Sequence, residues 1–284
     1  MDFEPTDAQR EVQRRAREVA SELIAPQAAE LDLTERFPVE TFRELGKRGM
    51  LGLSAPAAYG GQDIGTISLA LALEEIAYAC ASTAVGMSVT NMVADTIARF
   101  GDDTLAKRYV PFITSGESVT GAFCLSEPGS GSDAAAMRTT AQLDGDRYIL
   151  NGTKMWITSG DYSGAFIVMA RTAGPEAGYK GISAFVVEPG FEGFSTGRAE
   201  EKCGLRGSNT VPVVLEDCVV PASNLIGKEG IGFRIAMTAL DGGRVTIGAM
   251  ANGIARAALD VAARYVSERP ALRRSQAVQS TLAD

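Results

Sequence analysis

Histidine is missing from the sequence altogether. That excludes Ser-His-Asp and Cys-His nucleophile systems, imidazole bases and histidine-ligated metals. Chemistry then has to rest on carboxylates, hydroxyls, backbone dipoles or a bound cofactor. Cysteine is scarce: Cys80, Cys124, Cys203 and Cys218 lie far apart without metal-ligand spacing, and read as reduced thiols of a cytoplasmic protein. No apolar run approaches the ~20 residues of a membrane span, and the acidic, polar start "MDFEPTDAQREV" lacks the pattern of a signal peptide. Basic residues number 27 against 35 acidic ones and are scattered, so the net charge of -8 argues against nucleic-acid binding. Hydrophobic residues make up 45% of 284, enough for two or three units around a sizeable core.

The pattern along the chain is helical, then β, then helical. Residues 1–116 read as an all-α bundle. Thr6 or Asp7 caps a first helix that Pro26 ends, and Pro38 starts the next, which stops near Gly49. "TISLALALEEIAYACAS" and "TAVGMSVTNMVADTIARF" are apolar almost all round, as helices inside a bundle or at an interface are. Residues 117–228 carry strand signals, including a hairpin signal at Asp144-Gly145 between alternating runs. With no helices between the strands, an antiparallel barrel or sandwich is expected and not a doubly wound sheet. Residues 229–284 begin a C-terminal helical unit in which Gly242-Gly243 is expected to weaken or kink the helix. The last segment, "SQAVQSTLAD", reads as the start of a helix with nothing to pack on, so the chain reads as cut short. The fold class expected is multidomain α+β.

The stretch "FCLSEPGSGSDAAAMRTT", Phe123 to Thr140, places small residues and free amides where helices give way to strands. Such backbone can meet an anion such as a diphosphate. It is neither a Rossmann fingerprint, since Gly129 and Gly131 lack the third glycine and a βαβ unit, nor a P-loop, since there is no lysine. Alone, "PGSGS" reads equally as an ordinary turn. Trp156, the single tryptophan, reads alone as a core aromatic. Asp241 and Arg244, three apart on a helix, read alone as a solvated ion pair. Glu74 and Glu75 are adjacent, so they diverge by about 100° around a helix; they read as capping or interface charges, and Glu127 as structural.

Together these stretches resemble the acyl-CoA dehydrogenase family. Leu125-Ser126-Glu127 with Gly131-Ser132-Asp133 is similar to its first signature. "NGTKMWITSG" is similar to its Trp-Ile-Thr flavin segment, "KCGLRGSNT" with "EDCVVP" to its Lys-x-Gly-x-Arg-Gly-Ser stretch and closing strand, and "LDGGR" to its Asp-x-x-Arg element. The resemblance spans nearly the whole chain and implies FAD as cofactor. It places Phe123, Leu125, Ser126, Gly131, Ser132, Trp156, Ile157 and Thr158 around the flavin, and Arg269 and Gln276 at the adenosine half of a neighbouring subunit's FAD. Ser132, Asp241 and Arg244 are placed at the acyl-CoA. The implied reaction is α,β-dehydrogenation of an acyl-CoA thioester, with hydride passing to flavin N5 and electrons to an electron-transfer flavoprotein. The implied assembly is a homo-oligomer, tetramer or dimer, or a hetero-oligomer.

The departures from the family pattern are specific. The base that removes the α-proton is in most members a Glu that would lie beyond Asp284. In others it is a Glu directly before the Arg of "LDGGR", where this sequence has Gly243. No catalytic base is therefore assigned. "PALRRS" replaces a Phe-Gly loop, so the spacing from Arg269 to Gln276 is about four residues short of the family pattern. Two other readings stand beside the dehydrogenase: a base-less FAD- or CoA-binding subunit of a hetero-oligomer, and another flavin reaction on the same fold.

Overall fold

A computed structural model describes residues 4–283; Asp284 lies outside the described residues. Helix α1 (Asp7–Val19) opens with a reciprocal cap, in which the Thr6 hydroxyl accepts from Gln9 N and the Gln9 side chain accepts from Thr6 N. Pro26 does not end this helix, contrary to the sequence reading. A π-helical turn over Ala20–Ile24 widens the ladder, with Ala25 N donating to the Ala20 carbonyl, and α2 (Ala25–Thr34) continues with Pro26 in its first turn, directly after the widened turn. Helix α3 (Val39–Lys47) follows Pro38. Helices α4 (Gly65–Ala79) and α5 (Ala81–Phe100) are separated by the extended Cys80, and α6 (Asp103–Thr114) is capped by Asp102. Buried residues of α1, α3, α4 and α5 form one core, centred on Phe42, Leu73, Ile76 and Met87.

The chain then enters strands β1 (Thr120–Cys124), β2 (Thr140–Asp144), β3 (Arg147–Thr158), β4 (Ser163–Arg171), β5 (Ile182–Val187), β6 (Phe194–Thr196) and β7 (Thr210–Pro221). The β2–β3 hairpin turns through Gly145 and Asp146, with Gly145 at φ +63°, a left-handed position that glycine adopts without strain. β3 pairs antiparallel with β7, and β4 with β5. The expected antiparallel barrel needs correction on two counts. The sheet is open, and β1 runs parallel to β4. A parallel pair needs a long return connection, and the β2–β3 hairpin supplies it in place of a helix. The two halves of the sheet touch narrowly, at Thr140 beside Arg171, and no closing pair joins β1 to β6.

Helix α7 (Gly232–Ser267) lies across both units. It runs through Gly242-Gly243 without the expected kink, because packing along the rest of its length holds it. The Thr246 hydroxyl meets that of Ser88 at 2.8 Å, and Met250 is buried. At Gly253 an added Cβ would sit 2.2 Å from the Glu74 carbonyl oxygen, so α7 and α4 cross backbone to backbone. Short helices α8 (Pro270–Arg273) and α9 (Gln276–Ala283) follow. Along the second half of α7, Ile254, Leu259, Val261 and Tyr265 remain exposed.

Candidate functional site

Three elements build one cleft. The first is the segment leaving β1. Its loop is closed by Glu127, whose backbone exchanges hydrogen bonds with Ser130 at 2.9 and 3.1 Å. The Glu127 carboxylate accepts from Arg138 N (2.6 Å), Thr139 N (3.0 Å), Thr139 Oγ1 (2.5 Å) and Lys154 Nζ (2.8 Å). Burial raises its proton affinity, but the Lys154 ammonium and these hydrogen bonds outweigh it and hold the carboxyl below its ordinary value. With four donors satisfied, Glu127 anchors the loop. The Ser126 carbonyl accepts from Met155 N at 2.9 Å, which fixes the loop to β3.

The second element is a break in β3. Pairing with β7 shifts register between Lys154 and Ile157, and Trp156 adopts φ +63°. A bulge of this kind re-aims a side chain. The strand's alternation would alternately bury and expose residues; here Trp156 is turned out and 60% exposed while Ile157 is buried. A left-handed Trp is strained backbone, of the sort that gathers at functional sites.

The third element is one face of α7, where Phe233, Met237, Leu240 and Arg244 recur at helical spacing. With Phe123, Leu125, Ser126, Gly131, Ser132, Trp156 and Ile157 they line a cleft of about 410 Å³. Its lining mixes apolar side chains with the polar Ser126, Ser132, Asp133 and Arg244. The backbone N–H and hydroxyl of Ser126 and the indole N–H of Trp156 have no partner among the described residues, and a Cβ added at Gly129 or Gly131 would meet open space. A planar, polar-edged ring system fits this chemistry, with apolar side chains for its faces and free donors for its edge.

The structure brings together eight residues singled out in the sequence: Phe123, Leu125, Ser126, Gly131, Ser132, Trp156, Ile157 and Arg244. Thr158 is instead paired with Thr210 of β7, next to the cleft. Asp241 bonds to Arg244 but lines a second cavity of about 280 Å³ on the other side of α7, with Ser88, Met92, Asp95, Gly243 and Thr246. Burial raises the Asp95 carboxyl above its ordinary value. Arg269 lies beyond α7, its guanidinium 3.4 Å over the Tyr265 ring, and Gln276 opens α9. Met155, Phe233, Met237 and Leu240 line the cleft without having been singled out. The 233/237/240/244 spacing was the signal that could have found three of them.

Models of the acyl-CoA dehydrogenase N-terminal, middle and C-terminal domains match residues 6–117, 122–218 and 230–284. The chain belongs to the acyl-CoA dehydrogenase family. It is 43% identical over 276 residues to a short-chain specific acyl-CoA dehydrogenase of Clostridium acetobutylicum, covering 97% of this chain and 72% of that one. The butyryl-CoA dehydrogenase of Megasphaera elsdenii superposes with a TM-score of 0.95 at 38% identity, over 100% of this chain and 76% of the other. A chain from the structure of the electron transferring flavoprotein of Acidaminococcus fermentans, described with flavin-based electron bifurcation, reaches 0.97 at 39% identity, over 100% and 76%. Relatives in this acyl-CoA dehydrogenase family are FAD-dependent oxidoreductases. Among the described residues no helix is long and apolar enough to cross a membrane, and no cluster of acidic or cysteine side chains could hold a metal.

Proposed function

We propose that this chain binds FAD and an acyl-CoA thioester for α,β-dehydrogenation, with electrons leaving to an electron-transfer flavoprotein. The observation that carries the reading is that Ser126, in the loop leaving β1, and Trp156, in β3, line one cleft with their donors free. When bound, FAD supplies a two-electron acceptor for the β-hydride. The chain's own residues do the rest. The Leu125–Ser126 segment offers amide and hydroxyl donors to the ring edge, where negative charge is best stabilised by fixed dipoles. Trp156 and the α7 face exclude water, Ser132 adds a hydroxyl to the cleft, and Thr158 is assigned a role from beside it. Arg244, held by Asp241, offers a cation to the CoA part of the thioester. Arg269 and Gln276 are assigned to a neighbouring subunit's cofactor. The exposed apolar side of α7 supports an oligomeric assembly.

No glutamate lines either cavity among the described residues; Asp133 lines the cleft, and Asp95 and Asp241 line the second cavity. The glutamate base of the family pattern has no counterpart there, which favours a second reading, a base-less cofactor-binding subunit. Adding butyryl-CoA to the flavin-loaded chain without oxygen separates the two. Bleaching of the flavin colour supports dehydrogenation, and a stable complex without bleaching supports the second reading. Gly243→Glu sharpens the test. A Cβ at that position meets only Met92 Sδ, at 3.7 Å, so the side chain has room. Removing a mid-helix glycine stabilises by about 0.5–1 kcal/mol, and the added carboxylate should speed bleaching. A variant that folds, binds both ligands and bleaches no faster would contradict a thioester that reaches into the second cavity, which Gly243 lines.

A further inference from the structure

Lys154 is fully buried, 0% exposed, inside a protein whose cleft it does not line. Its ammonium has three neighbours: Glu127 Oε1 at 2.8 Å, the Leu125 carbonyl oxygen at 3.2 Å and Met137 Sδ at 3.9 Å. A sealed lysine is costly to charge, and burial lowers its proton affinity while the Glu127 carboxylate opposes that. Binding the loop alone does not need a cation, since Glu127 already has three other donors.

The contact with Leu125 is the informative one. Its carbonyl and the Ser126 N–H belong to one planar, resonance-coupled peptide group. A cation on the oxygen draws electron density across that group and strengthens the N–H as a donor. The N–H so strengthened has no partner among the described residues, and Ser126 lines the cleft. The next peptide group, Ser126–Glu127, is pinned as well, because the Ser126 carbonyl accepts from Met155 N at 2.9 Å.

We propose that Lys154 is a positioning residue for the cofactor: through the Leu125–Ser126 peptide it favours the reduced, negatively charged flavin over the oxidised form, and Glu127 moderates the effect. The proposal rests on the FAD reading above. It gives the two partners opposite signs. Loss of the Lys154 charge leaves a net negative site, and loss of the Glu127 charge leaves a net positive one.

The test is the midpoint potential of FAD bound to the full chain, measured against reference dyes that donate the two electrons, together with FAD affinity and the melting temperature. Lys154→Met should favour reduced flavin about tenfold less, a midpoint lower by about 30 mV for a two-electron couple. Lys154→Arg should keep the wild-type midpoint, and Glu127→Gln should raise it. A purely structural role would lower affinity or melting temperature without moving the midpoints in opposite directions. Unchanged midpoints, or shifts of one sign in both Lys154→Met and Glu127→Gln, overturn the proposal. If Lys154→Met does not fold, Glu127→Gln decides alone: a raised midpoint supports it, and an unchanged or lowered one overturns it. Failure of the wild-type chain to bind FAD would instead overturn the proposed function, a distinguishable result.

Discussion

Two buried carboxylates tie this molecule together, and they do so differently. Glu127, beneath the cleft loop, faces Lys154, whose ammonium has no path to water. Glu75, in the helical unit, receives Gln13, Arg17 and Arg256 from α1 and α7. The side chains of Arg17 and Arg256 are 64% and 33% exposed. The sealed pair has one arrangement available and fixes a loop that lines the cleft. The open node has cations that can return to solvent, and it links helices with some tolerance. Burial of the acid is common to both; burial of its partner separates a site-building pair from a packing pair.

Truncation should break the two unequally. Glu127→Ala leaves an uncompensated buried ammonium, and is expected to destabilise by about 3–5 kcal/mol in chemical denaturation. Glu75→Gln strands two guanidinium groups that can rehydrate, with an expected loss of about 1–2 kcal/mol. Equal losses would show that exposure of the cation does not set the difference.

Acid gives a weaker but shared test. For Glu75, burial raises the pKa, and the hydrogen bonds from Arg17 and Arg256 more than offset it, so both carboxyls sit below their ordinary 4.5. A folded value below the unfolded one means stabilisation that is fully present above 4.5 and lost as pH falls through the folded values. Melting temperature should therefore hold near neutrality and drop below about pH 4.5. Glu75→Gln should flatten part of that drop.

The smallest expected change in stability is at the cleft wall. Trp156 is 60% exposed, so Trp156→Phe should alter the melting free energy of the unliganded chain by under about 0.5 kcal/mol. The same change should weaken FAD binding roughly tenfold. A large loss of stability would place the indole in the core and not at the site.

Much of this was legible in the residues. Caps and apolar periodicity located the helices, and the alternating runs around Asp144-Gly145 located the β2–β3 hairpin, because local chemistry and tertiary packing agree there. The continuation past Pro26 was not legible, since a π turn depends on what the helix packs against. The parallel β1–β4 pair was hidden because pairing partners are set by long-range contacts. At the site, Ser126 and Trp156 stood out through the resemblance to the family; alone, Trp156 reads as a core aromatic. Lys154 did not stand out, although its strand parity matches that of the buried Tyr148 and Leu150. A charge on an inward position was the available signal. The bulge that turns Trp156 outward has no local signature, because only the register against β7 reveals it.

Trp156, as the sole tryptophan, makes the central claim directly measurable. Titrating the chain with FAD while following tryptophan emission should show quenching that saturates with binding of the flavin. Saturable FAD binding that leaves the Trp156 emission unchanged, or no binding at all, would contradict the account.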